Sequence, residues 1–404
     1  MKRSGHADLP LHYGHVPYWL YERMTKLGGA ITEVIVSEYG KSEFLRRISD
    51  PFWFQAFGAV MGMDWHSSGI TTSVMGALKQ AVNPLSKELG IFICGGRGKF
   101  SRKTPDELMK VADKTGLNGN QLVRYSKLAA KVDNNALQDG FQLYLHSFVV
   151  TDTGEWAIVQ QGMNGISRLA RRYHWLSDKI RSFVEEPHAS VCGENLGLIL
   201  NLTDKKALPA RNGIINISHE KPVHILSEVK KVSMPAHHEV TVNDVDLKRL
   251  GSVLTIAYDR KFTNFEDLLL LEGLGPKTLR SLTLISEIIH GTPSRFKDPA
   301  RFSFAHGGKD GHPFPVQTKG YDETLLFLKN TLHHAKIGYY DKQRALKKLT
   351  TLLLHVEKDF VPDARHYEKY ISKERSDSPE YGGKTVFDRK ISDKDKNGSQ
   401  LKLF

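Results

Sequence analysis

Residues 141–163, FQLYLHSFVVTDTGEWAIVQQGM, decide the fold. Two runs rich in aromatic and β-branched residues, 141–150 and 156–163, flank the turn-forming Thr151-Asp152-Thr153-Gly154-Glu155. That pattern predicts a β-hairpin. With the turn centred on Thr153-Gly154, His146 faces Gln161 across the strands or, one step shifted, Gln160. The sequence on either side has helical rather than strand periodicity, so the expected class is α+β: a large mixed N-terminal domain with a β-hairpin, a helical domain, and a tail.

Working outward, PYWLYERMTKLGGAITEVIVSEYG (17–40) and SEFLRRISDPFWFQAFGAVMG (42–62) carry apolar residues at helical spacing. HSSGITTSVMGALKQAV (66–82) places Ser67 or Ser68 to cap a third helix. GIFIC (90–94) reads as a short buried strand entering GGRGKFSRKTPDEL (95–108), where Thr104 as N-cap, Pro105 behind it, and Asp106 and Glu107 announce another helix. Between about 204 and 240 the pattern weakens into polar connectors such as KKALPARNG and SMPAHHEV. A helical unit follows over 241–291, then a glycine-rich bridge, then helical sequence over 321–360. Beyond 372 the chain is charged and nearly free of large apolar groups, and segments of that composition do not bury enough surface to order themselves. The organisation expected is therefore an α+β domain over 1–230, a helical domain over 231–371 and a disordered tail over 372–404, with no internal repeat.

A formal net charge of +12 across 404 residues favours polyanionic partners, nucleic acid first and anionic membrane second. Two cysteines, Cys94 and Cys192, exclude a disulfide framework and a Cys-based zinc site and suit a reducing compartment. The first residues lack an apolar leader core, and no stretch reaches the ~20 apolar residues of a membrane helix. The expectation is a cytoplasmic, nucleoid-associated protein.

The sharpest motif is NFEDLLLLEGLGPKTLRSLTLISEIIHG, residues 264–291. Gly273-Leu274-Gly275 makes a tight turn between two helices, and Pro276 opens the second at its preferred first position. Glycines there let the backbone approach a ligand, while the helix N-terminus offers amides to an anion. Lys277 and Arg280 add charge. The pattern of Leu271, Gly273, Leu274, Gly275 and Lys277 resembles the helix-hairpin-helix motif. The resemblance implies that residues 273–280, Thr278 included, grip the DNA backbone without reading sequence.

The last five residues are Gln400-Leu401-Lys402-Leu403-Phe404. They resemble the peptide with which bacterial DNA enzymes dock on the replicative sliding clamp. The resemblance implies that Gln400 bonds at the pocket rim while Leu401, Leu403 and Phe404 fill an apolar pocket, with Lys402 where serine or aspartate is common.

Several further blocks occur in order: GMDWHSSGITT (62–72), GGRGKFSRKTP (95–105), AKVDNNALQDGFQLYLHSF (130–148), AIVQQGMN (157–164) and RRYHWLS (171–177). Together they resemble domain-of-unknown-function family 763, over most of residues 1–370. The resemblance implies a helix-hairpin-helix segment coupled to the large domain but no activity, so chemistry must come from the residues.

Asp133, Asp139 and His146 fall in one helix-to-strand segment, with Gln161 or Gln160 facing His146. Carboxylates, a neutral imidazole and an amide carbonyl suit Mg²⁺ or Mn²⁺. Asp64 and His66 form a second set of candidate ligands, equally readable as residues that terminate the preceding helix. Lys131 and Arg172 are candidates to neutralise a phosphate. Arg97, Lys99, Arg102 and Lys103 surround glycines in a loop suited to cradling a phosphate, without the spacing of a nucleotide-hydrolysing loop. The bland reading of Asp133, Asp139 and His146 is turn residues and a satisfied core histidine. Two functions follow: a Mg²⁺- or Mn²⁺-dependent DNA nuclease docked on the sliding clamp, or a non-catalytic adaptor linking the clamp to damaged or branched DNA.

Overall fold

The computed structural model describes residues 16–63, 68–167, 169–231, 247–300 and 318–358. Asp64, His66 and the clamp-like residues Gln400, Leu401, Leu403 and Phe404 lie outside them.

Seven strands are present among the described residues: β1 (Ile91–Arg97), β2 (Leu137–Gln138), β3 (Gln142–Thr151), β4 (Trp156–Asn164), β5 (Leu169–Leu176), β6 (Ser190–Cys192) and β7 (Leu200–Asn201). Five form one antiparallel sheet in the order β1-β3-β4-β5-β6, and β2 and β7 pair separately. The expected hairpin is β3–β4, and its register sets His146 opposite Gln160.

Helices cover both faces of the sheet. On one side lie α1 (Tyr18–Tyr39), α2 (Lys41–Ser49), α3 (Pro51–Val60) and α4 (Gly69–Val82), with the short α5 (Ser86–Leu89) leading into β1. The break between α2 and α3 is local chemistry: Asp50 accepts from the amides of Phe52 and Trp53 at 2.9 and 3.0 Å, and Pro51 starts the new helix. On the other side lie α6 (Thr104–Thr115), α7 (Gly119–Lys131), α8 (Leu208–Ser218), α9 (Pro222–Lys231), α10 (Leu247–Arg260), α11 (Phe265–Leu269) and α12 (Pro276–His290). Last in the chain come α13 (Thr318–His334) and α14 (Tyr339–Lys358).

Strand alternation sends Phe148, Val150, Trp156, Ile158, Tyr173 and Trp175 into one core, together with residues of α7, α8 and α10–α12. Ile91, Ile93, Val149, Ala157, Val159 and Leu176 enter the other, with α1–α4. Burial on both faces explains why these strands read as almost continuous apolar runs, unusual for an antiparallel sheet. Each large side chain so buried contributes about 1.5–3 kcal/mol.

Three expectations change. The stretch 205–213, read as a connector, includes the start of α8, because Pro209 falls in the first turn, where its missing amide costs nothing. Thr104 is the first residue of α6 rather than its cap, and its hydroxyl donates to the Ser101 carbonyl at 2.7 Å. The boundary at 230/231 is not a break in packing: α10–α12 share a core with the sheet, while Leu328, Leu332, Ala345 and Leu349 of α13 and α14 join the α1–α4 core. Among the described residues no helix is long and apolar enough to cross a membrane.

Candidate nucleic-acid interface and buried polar networks

The segment after α11 turns sharply. Asn264 caps α11 by accepting from the Asp267 amide at 2.9 Å. Leu271 and Leu274 are buried and pin the turn, while Gly273 between them is exposed with φ +82°. That left-handed backbone strains any L side chain, so glycine is required although the space around it is open. Gly275 then precedes α12 with no side-chain cap, and Pro276 occupies the first turn. The opening amides of α12 thus lack the partner a capping side chain would give them. Lys277 is exposed and Arg280 half-buried beside this N-terminus. Thr278 is buried.

The turn's carbonyls are held from behind. Lys131, at the end of α7, donates to the carbonyls of Leu274 at 2.9 Å and Leu271 at 3.4 Å. Asn135 Nδ2 reaches the Leu274 carbonyl at 3.0 Å, and Gln138 Nε2 the Pro276 carbonyl at 2.9 Å. Arg249 of α10 donates to the Gly273 carbonyl at 3.2 Å. Burial, and then the neighbouring Arg249, lower the Lys131 pKa from the ordinary lysine value. Lys131 therefore fastens the turn.

The second basic element follows β1. Residues Gly98–Lys103 form a tight helical turn on which Lys99, Arg102 and Lys103 are exposed, as is Arg97 before it. Its root is clamped: Glu107 Oε2 accepts from the Gly95 amide and from Lys79 Nζ, both at 2.7 Å. Gly95 is obligatory here, since a Cβ would lie 2.2 Å from the His146 carbonyl oxygen.

The candidate metal ligands lie elsewhere, in the interior. Asp133 sits in a π-helical turn, Val132–Ala136, with its carboxylate fully buried. Its Oδ2 accepts from Gln160 Nε2 at 2.5 Å and Trp175 Nε1 at 3.1 Å, and its Oδ1 accepts from His188 Nε2 at 2.5 Å. Because the Gln160 amide nitrogen donates to Asp133, its Oε1 faces His146 Nδ1, at 2.7 Å, and accepts. His146 therefore carries its proton on Nδ1, and Nε2 accepts from the Ser126 hydroxyl at 2.8 Å. A chain of satisfied bonds runs Ser126–His146–Gln160–Asp133–His188. Burial pushes the His146 pKa down to about 4, so the ring is neutral, and burial raises that of Asp133.

Asp139 belongs to a separate network. Its Oδ2 accepts from Arg171 Nη1 at 3.0 Å and Tyr173 Oη at 2.7 Å, and its Oδ1 from the Phe141 amide at 3.0 Å. Arg171 also holds both oxygens of Asp298, at 3.0 and 2.6 Å. One buried guanidinium thus serves two carboxylates. Burial pushes Asp139 up to about 6, with Asp298 adding to the rise and Arg171 opposing it. Burial works against the Arg171 charge, but Asp139 and Asp298 outweigh it and keep the guanidinium protonated.

These observations correct the sequence-based site. Asp133 and His146 are joined through Gln160, Asp139 is not with them, and every ligating atom of the three already has a protein partner. Among the described residues no group of three or more His, Cys, Asp or Glu side chains could hold a metal ion. The residues do not fit Mg²⁺ or Mn²⁺ as a shared site. Gln161 points to the opposite face of the sheet, where its Nε2 donates to the Ser68 carbonyl and the Tyr144 hydroxyl, and its buried Oε1 has no hydrogen-bond partner. Arg172 is fully buried on the same face, donating to His174 Nε2 at 2.8 Å and Gln55 Oε1 at 3.0 Å. It is out of reach of a phosphate, and RRYHWL is a core strand.

Ser126, His188 and Asp298 escaped sequence reasoning. Asp298 is 127 positions from Arg171, and no local spacing marks such a pair.

An antiparallel sheet buried between two helical layers, with a glycine-turned helical hairpin sharing the core on one side, defines a mixed α+β protein. A family model described as protein of unknown function (DUF763) matches residues 5–316, and the chain belongs to that family. No curated protein and no solved structure matches the chain.

Proposed function

We propose that this protein holds DNA by its phosphate backbone, with the Leu271–Arg280 hairpin as the principal grip. The observation that carries the reading is the hairpin's geometry. Its carbonyls are engaged by Lys131, Asn135 and Gln138, while the uncapped start of α12 stands beside exposed Lys277. Amides, helix dipole and lysine together suit a phosphate, as in the helix-hairpin-helix motif. The exposed Arg97, Lys99, Arg102 and Lys103 supply a second backbone contact. The C-terminal Gln400–Phe404 peptide, resembling a clamp-docking motif, makes the protein an adaptor between a bacterial sliding clamp and DNA, in the nucleoid.

The saturated networks around Asp133, Asp139 and His146 support this non-catalytic reading over metal-dependent cutting at those residues. One observation favours the nuclease alternative: the unpartnered Gln161 oxygen, whose amide bonds to Ser68, two residues past His66.

The test is DNA binding by the full chain against Lys277→Glu/Arg280→Glu, with plasmid incubated in parallel with Mn²⁺ or Mg²⁺. Binding lost in the double variant, without cutting, is expected. Metal-dependent cutting by the wild type that disappears in the isosteric Asp139→Asn would reinstate the nuclease. A synthetic 396–404 peptide that fails to bind a bacterial clamp would remove that partner.

A further inference from the structure

Three surface elements that are remote in sequence converge on one end of the sheet. Arg97, the last residue of β1, pairs with Leu145 near the start of β3. Gln142, which opens β3, pairs with Met163 near the end of β4, so the β4–β5 turn is at the same end. Gln138, four residues before Gln142, bonds the Pro276 carbonyl and brings the start of α12 there too. The hairpin, the 98–103 loop and the 164–167 turn therefore lie toward one end of the sheet.

Two of these elements carry exposed apolar side chains. Phe100 is 47% exposed and is the one exposed phenylalanine among the described residues; Ile166 is 97% exposed and Met163 40%. Phe100 stands at the centre of the basic loop, with Lys99 Nζ 5.6 Å and Lys103 Nζ 5.7 Å from its ring centroid. Ile166 is at the tip of the β4–β5 turn, whose backbone is tied by Asn164 Oδ1 accepting from the Ile166 and Ser167 amides at 2.9 and 3.1 Å. β1 and β4 are separated by β3 alone. Arg97 is level with Leu145 and Gln161, so the β4–β5 turn extends further along the sheet than the end of β1.

An exposed aromatic ring between two lysines suits single-stranded nucleic acid: the cations neutralise phosphates while the ring stacks on a base. Apolar tips beside a backbone grip also act as wedges that unstack a base step. We propose that Phe100, assisted by Ile166, stacks on or wedges beside an unpaired base, and that the preferred substrate is DNA with a junction between duplex and single strand. This rests on the DNA-backbone reading above and names its substrate class. Continuous duplex offers phosphates to the hairpin but no exposed base face to Phe100.

The experiment compares binding of the full chain to a continuous duplex and to the same duplex bearing a single-stranded extension, with 2-aminopurine as the first unpaired base. The wild type is expected to bind the junction roughly tenfold more tightly, the scale of one stacked base, and to alter the 2-aminopurine emission. Phe100→Ala should lose that preference and the emission change, keep its duplex affinity, and melt like the wild type. Phe100→Trp should retain both, and Ile166→Ser should reduce them. Equal wild-type affinity for the two DNAs, or a preference that survives Phe100→Ala, overturns the wedge and leaves the backbone grip standing. A wild type that binds neither DNA overturns the backbone grip itself, and the wedge with it.

Discussion

Lys131 Nζ lies 2.9 Å from the carbonyl oxygen of Leu274, joining the last turn of α7 to the tip of a hairpin 143 positions later. The bond turns the hairpin's carbonyls toward the body of the protein and steadies the backbone that opens α12.

Lys131→Ala should therefore weaken DNA binding without Lys131 touching DNA. The Leu274 carbonyl keeps its Asn135 bond, so the loss of stability should be modest, about 1–2 kcal/mol. A denaturant melt and a binding isotherm on one preparation check this. Several-fold weaker binding with a small stability loss is expected, and Lys131→Arg, which retains a donor, should recover part of the affinity.

Arg171→Met should be strongly destabilising. It leaves Asp139 and Asp298 buried without their shared counter-charge, at a cost of about 3–5 kcal/mol. Adding Asp139→Asn should restore part of the loss, because one of the stranded charges is gone. A double-mutant cycle in urea measures this coupling, and additive effects would argue against the shared-guanidinium account.

The buried histidines should make the fold sensitive to acid. His146 has a folded pKa of about 4 against an ordinary value of 6.5, so as pH falls the unfolded chain takes up a proton first. The stability involved is present above pH 6.5 and is lost as pH falls toward 4, on the order of 3 kcal/mol at most. His174, held well below its ordinary value by burial and then by Arg172, acts in the same direction. Buried Asp139, pushed up to about 6, and Asp133, also raised, act in the opposite direction over part of this window. The histidine's share is therefore read as a difference: between pH 6.5 and 4 the wild type should lose more melting temperature than His146→Gln does.

Much of the architecture was legible in residues whose signals are local. The β3–β4 hairpin follows from two runs rich in aromatic and β-branched residues around an Asp-Thr-Gly turn, and the α11–α12 hairpin from Gly273, Gly275 and Pro276. The candidate centre was not legible, because what decides a carboxylate's role is its partners. Asp133 is satisfied by Gln160, Trp175 and His188, and Asp139 by Arg171 and Tyr173, contacts that exist only after the sheet has formed. Arg172 reads in the sequence as a candidate to neutralise a phosphate, yet alternation sends Arg171 and Arg172 to opposite faces of a sheet buried on both sides. α13 and α14 read as part of a helical domain because sequence proximity does not reveal that their apolar faces belong on α3.

The most direct test of the central claim is the salt dependence of DNA binding, by anisotropy between about 50 and 200 mM salt, for the wild type and Lys277→Ala on two duplexes of unrelated sequence. A backbone grip predicts that Lys277→Ala weakens both duplexes equally and reduces the slope of log affinity against log salt by about 1, with unchanged melting. An unchanged slope, or a loss confined to one sequence, would contradict it.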